Sequence, residues 1–359
     1  MKFIHCADLH LDSKMETLPS EKSKIRREEV LSTFEGLCSY ATAKGVSAVI
    51  IAGDMFDTAR VTVKTRARVL HAISSNPSVD FLYLSGNHDD DNFIAGLESL
   101  PKNLKVFSDD WQSFYYDGVC ISGIKFTPYN ESTVYDGLSL DENKVNIVTL
   151  HGQIAGYVSA DKDAEVISLP RLKEKYIDYL ALGHIHQYSQ GKLDNRATYA
   201  YSGCLDGRGF DETGDKGFVE ISVENGVLTT EFIKFCSRTL NVFEYNLKDK
   251  KDWAIVRSEI LTALNSNVNE TSLIKVVIKG ERKPDFEIDV LGLSIRLNEL
   301  YFFAKVYDKT TVTVDENDYI NDKSVRGEFV RAVWESSLSP EMKSKVITCG
   351  LSALKGEEL

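Results

Sequence analysis

Nothing in this chain marks a secreted, membrane-spanning or strongly basic protein. Its six cysteines (Cys6, Cys38, Cys120, Cys204, Cys236, Cys349) are scattered through 359 residues and form no C-x-x-C pair. That spacing argues against a disulfide framework or structural zinc and suits a reducing cytosol. No stretch approaches the roughly 18 consecutive apolar residues a membrane helix needs. No signal peptide is expected either, because apolar Phe3-Ile4 runs straight into Asp8 and His10. The expectation is a cytoplasmic protein with no membrane contact. Positive charge is also short, with 42 basic residues against 54 acidic and a formal net charge of −12. This counts against a basic, nucleic-acid-binding surface over the whole molecule, but not against a local site.

What is present is an ordinary globular composition, 43% hydrophobic and 10% aromatic, in a chain long enough for two domains. Residues 1–236 alternate short apolar strands with amphipathic helices. Ser23 to Lys44 reads as a helix, with Ile25, Val30, Leu31, Phe34, Leu37, Cys38 and Ala41 at helical spacing and Gly45 closing it. A second helix is expected over Val63 to Ser74. After Gly118 strands such as Val119 to Ile124, Ala197 to Tyr201 and Gly217 to Val223 are joined by turns like Glu224-Asn225-Gly226. Two sheets packed together with helices outside is the simplest architecture for this mixture. A boundary is expected near Cys236 to Thr239. Residues 237–322 read as a small α/β module, and 323–359 as a helical tail in which Val325, Phe329 and Val333 share a face and Ser339-Pro340 opens a second helix.

Histidine is scarce but placed with purpose. Five of the seven histidines fall in short motifs that, together with Gly53-Asp54, recur at the ends of strand-like runs. The motifs are Asp8-Leu9-His10, Gly53-Asp54, Gly86-Asn87-His88-Asp89, His151-Gly152 and Gly183-His184-Ile185-His186. The apolar runs Phe3 to Ala7, Val46 to Ala52, Val79 to Leu84, Val145 to Leu150 and Ile177 to Leu182 precede them. Any one alone is unremarkable: Asp-x-His is common and Gly-Asp is a turn. Five in one chain, each at a strand end, point to a dinuclear metal site.

Hydrolysis of a phosphate ester needs a nucleophile at neutral pH and neutralisation of charge growing on the phosphate oxygens. Two divalent metals about 3.5–4 Å apart supply both. Asp54 is the natural bridging carboxylate. Asp8 and His10 can share one metal, and His184 and His186 can reach different metals if the loop turns between them. Asn87 offers an amide oxygen and His151 an imidazole. His88 is left to protonate the leaving oxygen. Asp57 and Asp89 suit a layer that orients imidazoles. Mixed nitrogen and oxygen donors without thiolate favour manganese first, then iron or zinc. By contrast, His5 is out of phase with Asp8 and His10 and should face away. His71 lies within a helix, and Cys6 reads as core. The basic run Arg60, Lys64, Arg66 and Arg68 is better read as a solvated helix face than as a DNA path.

In this order the motifs resemble the calcineurin-like metallophosphoesterase superfamily over residues 1–236. The opening Lys2-Phe3-Ile4-His5-Cys6-Ala7-Asp8-Leu9-His10-Leu11-Asp12, the segment Ala52-Gly53-Asp54-Met55-Phe56-Asp57, Tyr201-Ser202-Gly203 and Gly207 to Gly214 are similar to the SbcD and YhaO type of bacterial DNA-repair exonuclease. The resemblance implies an α/β fold: an αββα sandwich of two mixed β-sheets flanked by helices, with a small α/β capping domain and C-terminal helices. It implies one metal held by Asp8, His10, Asp54 and His186, and another by Asp54, Asn87, His151 and His184, with His88 catalytic. In some relatives a histidine stands where this chain has Asp57, which could pair with His88. It further implies DNA as substrate and an SbcC-like coiled-coil ATPase as partner, docking on the C-terminal helices; a homodimer is left open. The same chemistry would serve a small-nucleotide phosphodiesterase or a phosphoprotein phosphatase. A non-catalytic scaffold is the remaining alternative, although no ligand of the set is missing.

Overall fold

Strands apolar on both faces dominate the chain because they are buried between layers. The computed structural model describes residues 1–57, 61–87, 89, 93, 99–127, 129–156, 165–247, 252–284 and 286–355. His88, expected to be catalytic, and Arg60 of the basic run lie outside these. The chain divides into two compact units, Met1–Thr239 and Leu240–Leu359.

The first unit begins β1 (Lys2–Cys6), α1 (Ser20–Ala43), β2 (Ala48–Ala52), α2 (Val63–Ser74), β3 (Asp80–Leu84) and β4 (Leu104–Val106). It continues with β5 (Gln112–Tyr116), β6 (Val119–Gly123), α3 (Glu131–Asp136), β7 (Val145–His151), β8 (Gln153–Ile154), β9 (Val166–Ile167) and α4 (Leu169–Leu172). It ends with β10 (Tyr179–Gly183), β11 (Ser189–Lys192), β12 (Thr198–Tyr201), β13 (Gly217–Glu224) and β14 (Val227–Lys234). Two six-stranded sheets result, in the orders β14-β13-β1-β2-β3-β4 and β11-β12-β10-β7-β6-β5. Their centres are parallel, while β13, β14, β5 and β11 add antiparallel pairings, so both sheets are mixed.

The sheets share a core in which Phe3, Ile50, Leu82 and Ile221 of the first meet Ile121, Ile147, Tyr179 and Ala181 of the second. Burying each such side chain contributes about 1.5–3 kcal/mol. The outer face of the second sheet packs Val148, Leu150, Leu180 and Leu182 against Val134, Tyr135 and Leu172 of α3 and α4. On the other flank α1 buries Val30, Leu31, Phe34, Leu37, Cys38 and Ala41, and α2 buries Val69 and Ile73. This is the expected sandwich of two mixed sheets between helices.

Details differ from the sequence reading. Helix α1 starts three residues earlier than Ser23, directly after Pro19. Ile25 is 45% exposed, and Arg26 takes the buried place with 0% exposure. Arg26 is held there by Asp206, whose Oδ1 accepts from Nη2 at 2.8 Å. Gly45 does end the helix, in the left-handed region at φ +64. The turn at Asn225-Gly226 has φ of 51° and 79° and joins β13 to β14, as two consecutive left-handed residues do in tight hairpins.

The second unit contains β15 (Leu240–Asn246), α5 (Trp253–Asn267), β16 (Leu273–Lys279), β17 (Glu281–Arg282), α6 (Val290–Leu300), β18 (Phe303–Asp308), β19 (Thr311–Val312), α7 (Val325–Glu335) and α8 (Pro340–Lys355). Its sheet, β15-β16-β18, is wholly parallel. Val256, Ile260 and Leu264 of α5 and Leu293 and Leu297 of α6 share a core with Ile274, Val276 and Ile278 of β16. Helices α7 and α8 form a separate cluster through Val330, Val333, Ile347 and Leu351. Val325 is not part of that face: it is 73% exposed, because it occupies the first helical position after the Ser324 cap.

Candidate metal centre

The ends of β1, β2, β3, β7 and β10 bring the motifs together. Main-chain bonds zip the first two loops: Asp8 N–H donates to Gly53 O at 3.0 Å, His10 N–H to Asp54 O at 3.0 Å and Leu11 N–H to Met55 O at 2.9 Å. To make these turns Asp8, His10, Asp54 and His184 adopt φ of 52°, 43°, 51° and 100°. Each left-handed non-glycine residue costs about 1–2 kcal/mol, and such strain persists only where surrounding contacts fix it. The packing is close enough that a Cβ on Gly86 would collide with Asp54, and one on Gly53 with the His151 ring.

Two groups of side chains converge. Ligand-type atoms of Asp8, His10 and His186 lie within 4.8 Å of one another, and so do those of Asp54, His151 and His184. Asp54 Oδ2 is 3.7 Å from His10 Nε2 and 3.4 Å from His151 Nε2, so it stands between the groups. Asn87 Oδ1 is 3.0 Å from His151 Nε2. All seven residues singled out as metal donors therefore meet in one place, and Asp8, Asp54 and His10 are at most 1% exposed.

Ring nitrogens face carbonyl and carboxylate oxygens throughout the site. His151 Nδ1 faces the Ala52 carbonyl at 2.9 Å, an acceptor, so that nitrogen carries the hydrogen. His151 Nε2 lies 3.0 Å from Asn87 Oδ1 and 3.4 Å from Asp54 Oδ2. His10 Nδ1 lies 3.2 Å from Asp57 Oδ1, and His186 Nδ1 lies 2.8 Å from Glu212 Oε1. The Nε2 atoms of the same two rings lie 3.0 Å apart. Asp8 Oδ1 accepts the His184 N–H at 2.8 Å, while Oδ2 is buried with no hydrogen-bond partner among the described residues. Imidazole nitrogens and carboxylate oxygens thus converge in a buried site, where a polar atom without a partner is costly. Burial disfavours a charged His151, yet Asp54 and Asp8 outweigh it and raise this imidazole to about 9. The donor set fits divalent cations, and these residues would hold them.

Among the described residues Asp89 serves main-chain donors. Its Oδ1 accepts from Phe56 N–H at 2.9 Å, and its Oδ2 from Gly86 N–H at 2.9 Å and Met55 N–H at 3.2 Å. It welds the β2 and β3 loops together, and burial, reinforced by Asp54, raises its carboxyl to about 6. Asp57 faces His10 and also accepts from Arg208 Nη1 at 2.5 Å. His5 is buried between the sheets with Nδ1 2.9 Å from Tyr179 Oη, away from the donors. Cys6 is core, its thiol on Ile50 O at 3.6 Å. Lys64 and Arg68 pair with Glu28, and Arg68 also with Glu35, so both belong to an ion-paired helix face.

Sequence reasoning missed Arg208, Glu212 and Lys216. The signal was a glycine-rich stretch, Gly207 to Gly214, carrying charged residues just beyond β12, which neither apolar periodicity nor a ligand motif marks.

The chain belongs to the calcineurin-like phosphoesterase family, whose profile matches residues 1–188. That family comprises metal-dependent phosphoesterases, and the described fold and the convergent donors are those of its members. Among known proteins the chain is similar to the uncharacterized metallophosphoesterase YhaO of Bacillus subtilis, 27% identical over 245 residues, which are 65% of this chain and 60% of that protein. It is 25% identical over 342 residues to the DNA double-strand break repair protein Mre11 of Saccharolobus solfataricus, covering 89% and 85% of the two chains. With the SbcD component of the nuclease SbcCD of Staphylococcus epidermidis it shares 23% identity over 284 residues, 69% of this chain and 74% of that one.

Proposed function

We propose that this chain is a dinuclear-metal-dependent phosphodiesterase that cuts DNA during repair, with manganese as its metal and an SbcC-like ATPase as its partner. The observation that carries the metal chemistry is the convergence of buried ligand-type atoms: Asp8 Oδ2 without a hydrogen-bond partner among the described residues, two imidazole Nε2 atoms at 3.0 Å and Asp54 between the two groups. Two divalent ions bound there supply an activated water and neutralise charge on the phosphate. Asp54 would be shared by both ions, Asp8, His10 and His186 would hold one, and Asn87, His151 and His184 the other. Asp57 holds the His10 ring. His88, which follows Asn87 in the chain and lies outside the described residues, protonates the leaving oxygen. The DNA assignment is supported by the names of the Mre11 and SbcCD relatives, and the partner by the SbcCD name, in which the similar protein is one subunit of a nuclease.

A second reading has a specific observation behind it. The chain carries a net charge of −12, and Lys64 and Arg68 are engaged by glutamates. A small-nucleotide phosphodiesterase needs no basic groove, whereas a DNA nuclease would take its groove from the partner. Rates with Mn²⁺ on single- and double-stranded DNA, a cyclic nucleotide and a phosphomonoester separate the two. Cleavage of DNA supports the nuclease. Intact DNA at high enzyme, with turnover of small diesters, rejects it.

A further inference from the structure

We infer that Glu212, with Asp57, is a positioning residue that sets cation affinity at the Asp8–His10–His186 position alone, and that Arg208 locks the two carboxylates in place. This rests on the dinuclear-metal reading above and extends it to residues beyond the donor set.

The two positions are held by different means. Behind His151 stands a main-chain carbonyl, Ala52 O, in a fully buried strand. Behind His10 and His186 stand carboxylates, Asp57 at 3.2 Å and Glu212 at 2.8 Å. A carboxylate accepting the far N–H of an imidazole fixes its tautomer and ring plane and strengthens it as a donor. Arg208 ties these two carboxylates together. It donates through Nη1 to Asp57 Oδ1 at 2.5 Å, and through Nε and Nη2 to Glu212 Oε1 at 3.0 and 2.7 Å. Its own N–H donates to Glu212 Oε2 at 2.7 Å. Glu212 is 4% exposed, so its carboxylate is held by His186 and Arg208 rather than by solvent.

The segment carrying these residues is itself fixed around His186. Lys216, 2% exposed, donates through Nζ to His186 O at 2.7 Å. Cys204 N–H donates to the same oxygen at 3.3 Å. Upstream, Asp206 is clamped by the buried Arg26. Charge and geometry act in the same direction at Glu212: removing it takes away both an anion near the cation and the acceptor that aims the His186 ring.

The test is a Mn²⁺ titration of the full-length chain, wild type and the variants Glu212→Ala, Glu212→Gln and Asp57→Ala, followed by heat and by electron paramagnetic resonance. Wild type is expected to take two ions. Glu212→Ala and Asp57→Ala should keep one ion at wild-type affinity and bind the other about 10–100-fold more weakly. In these variants the spin-coupled two-ion signal should give way to that of an isolated ion. Glu212→Gln retains an acceptor oxygen and should lose less. Unchanged affinities in the alanine variants, or equal weakening of both ions, would overturn the inference and leave the dinuclear reading standing. A wild type that binds no Mn²⁺ would overturn both. Should Glu212→Ala fail to fold, Asp57→Ala, on a separate loop, decides the matter.

Discussion

The two units are built alike, from parallel strands joined through helices, but they finish their strands differently. In Met1–Thr239, Asp8, His10, Asp54 and His184 turn left-handed at strand ends, and their polar atoms point at one another. In Leu240–Leu359, β15, β16 and β18 end in Asn246, Lys279 and Asp308, and among the described residues positive φ is confined to Gly280 at 103°. The second unit follows local preference throughout: Asp252, Asp289 and Ser324 cap its helices, and its apolar residues fill cores. The first unit departs from local preference at the strand ends where donors meet. Conflict between local preference and observed backbone marks the functional end of the fold.

The contrast can be attacked in order of expected effect. Asp54→Ala should abolish Mn²⁺ binding and diesterase activity together, measured by elemental analysis and turnover on the same sample. His88→Ala should retain both ions while turnover falls about 10²–10⁴-fold, the usual contribution of a general acid; equal metal loss in the two variants would refute the division of roles. Ile260→Ala, in the core of the second unit, should destabilise that unit by about 2–5 kcal/mol in denaturant unfolding and leave the Mn²⁺ stoichiometry of the chain unchanged. The smallest effect is expected for Lys64→Ala, which loses one exposed ion pair to Glu28: at most about 1 kcal/mol of stability and no change in turnover.

Strand runs, helix centres and the seven residues that converge were legible because each depends on residues near in sequence: apolar blocks, 3.6-residue spacing and short Asp/His/Asn motifs at strand ends. What was not legible depends on partners far away. Arg26 displaces Ile25 from the buried face of α1 because Asp206 lies 180 residues on. Asp89 accepts from three backbone N–H groups, which only the folded loops reveal. Glu212 and Arg208 carry no periodic signal, and their role appears once β12 has returned the chain to His186. Val325 has the spacing of a packed residue but stands at the first turn, exposed.

The most direct measurement is anomalous diffraction from crystals soaked in Mn²⁺. Two peaks are expected about 3.5–4 Å apart, one among Asp8, His10 and His186 and the other among Asn87, His151 and His184, with Asp54 between them. A map with no peak at these side chains, under Mn²⁺ concentrations that sustain activity, would contradict the metal centre.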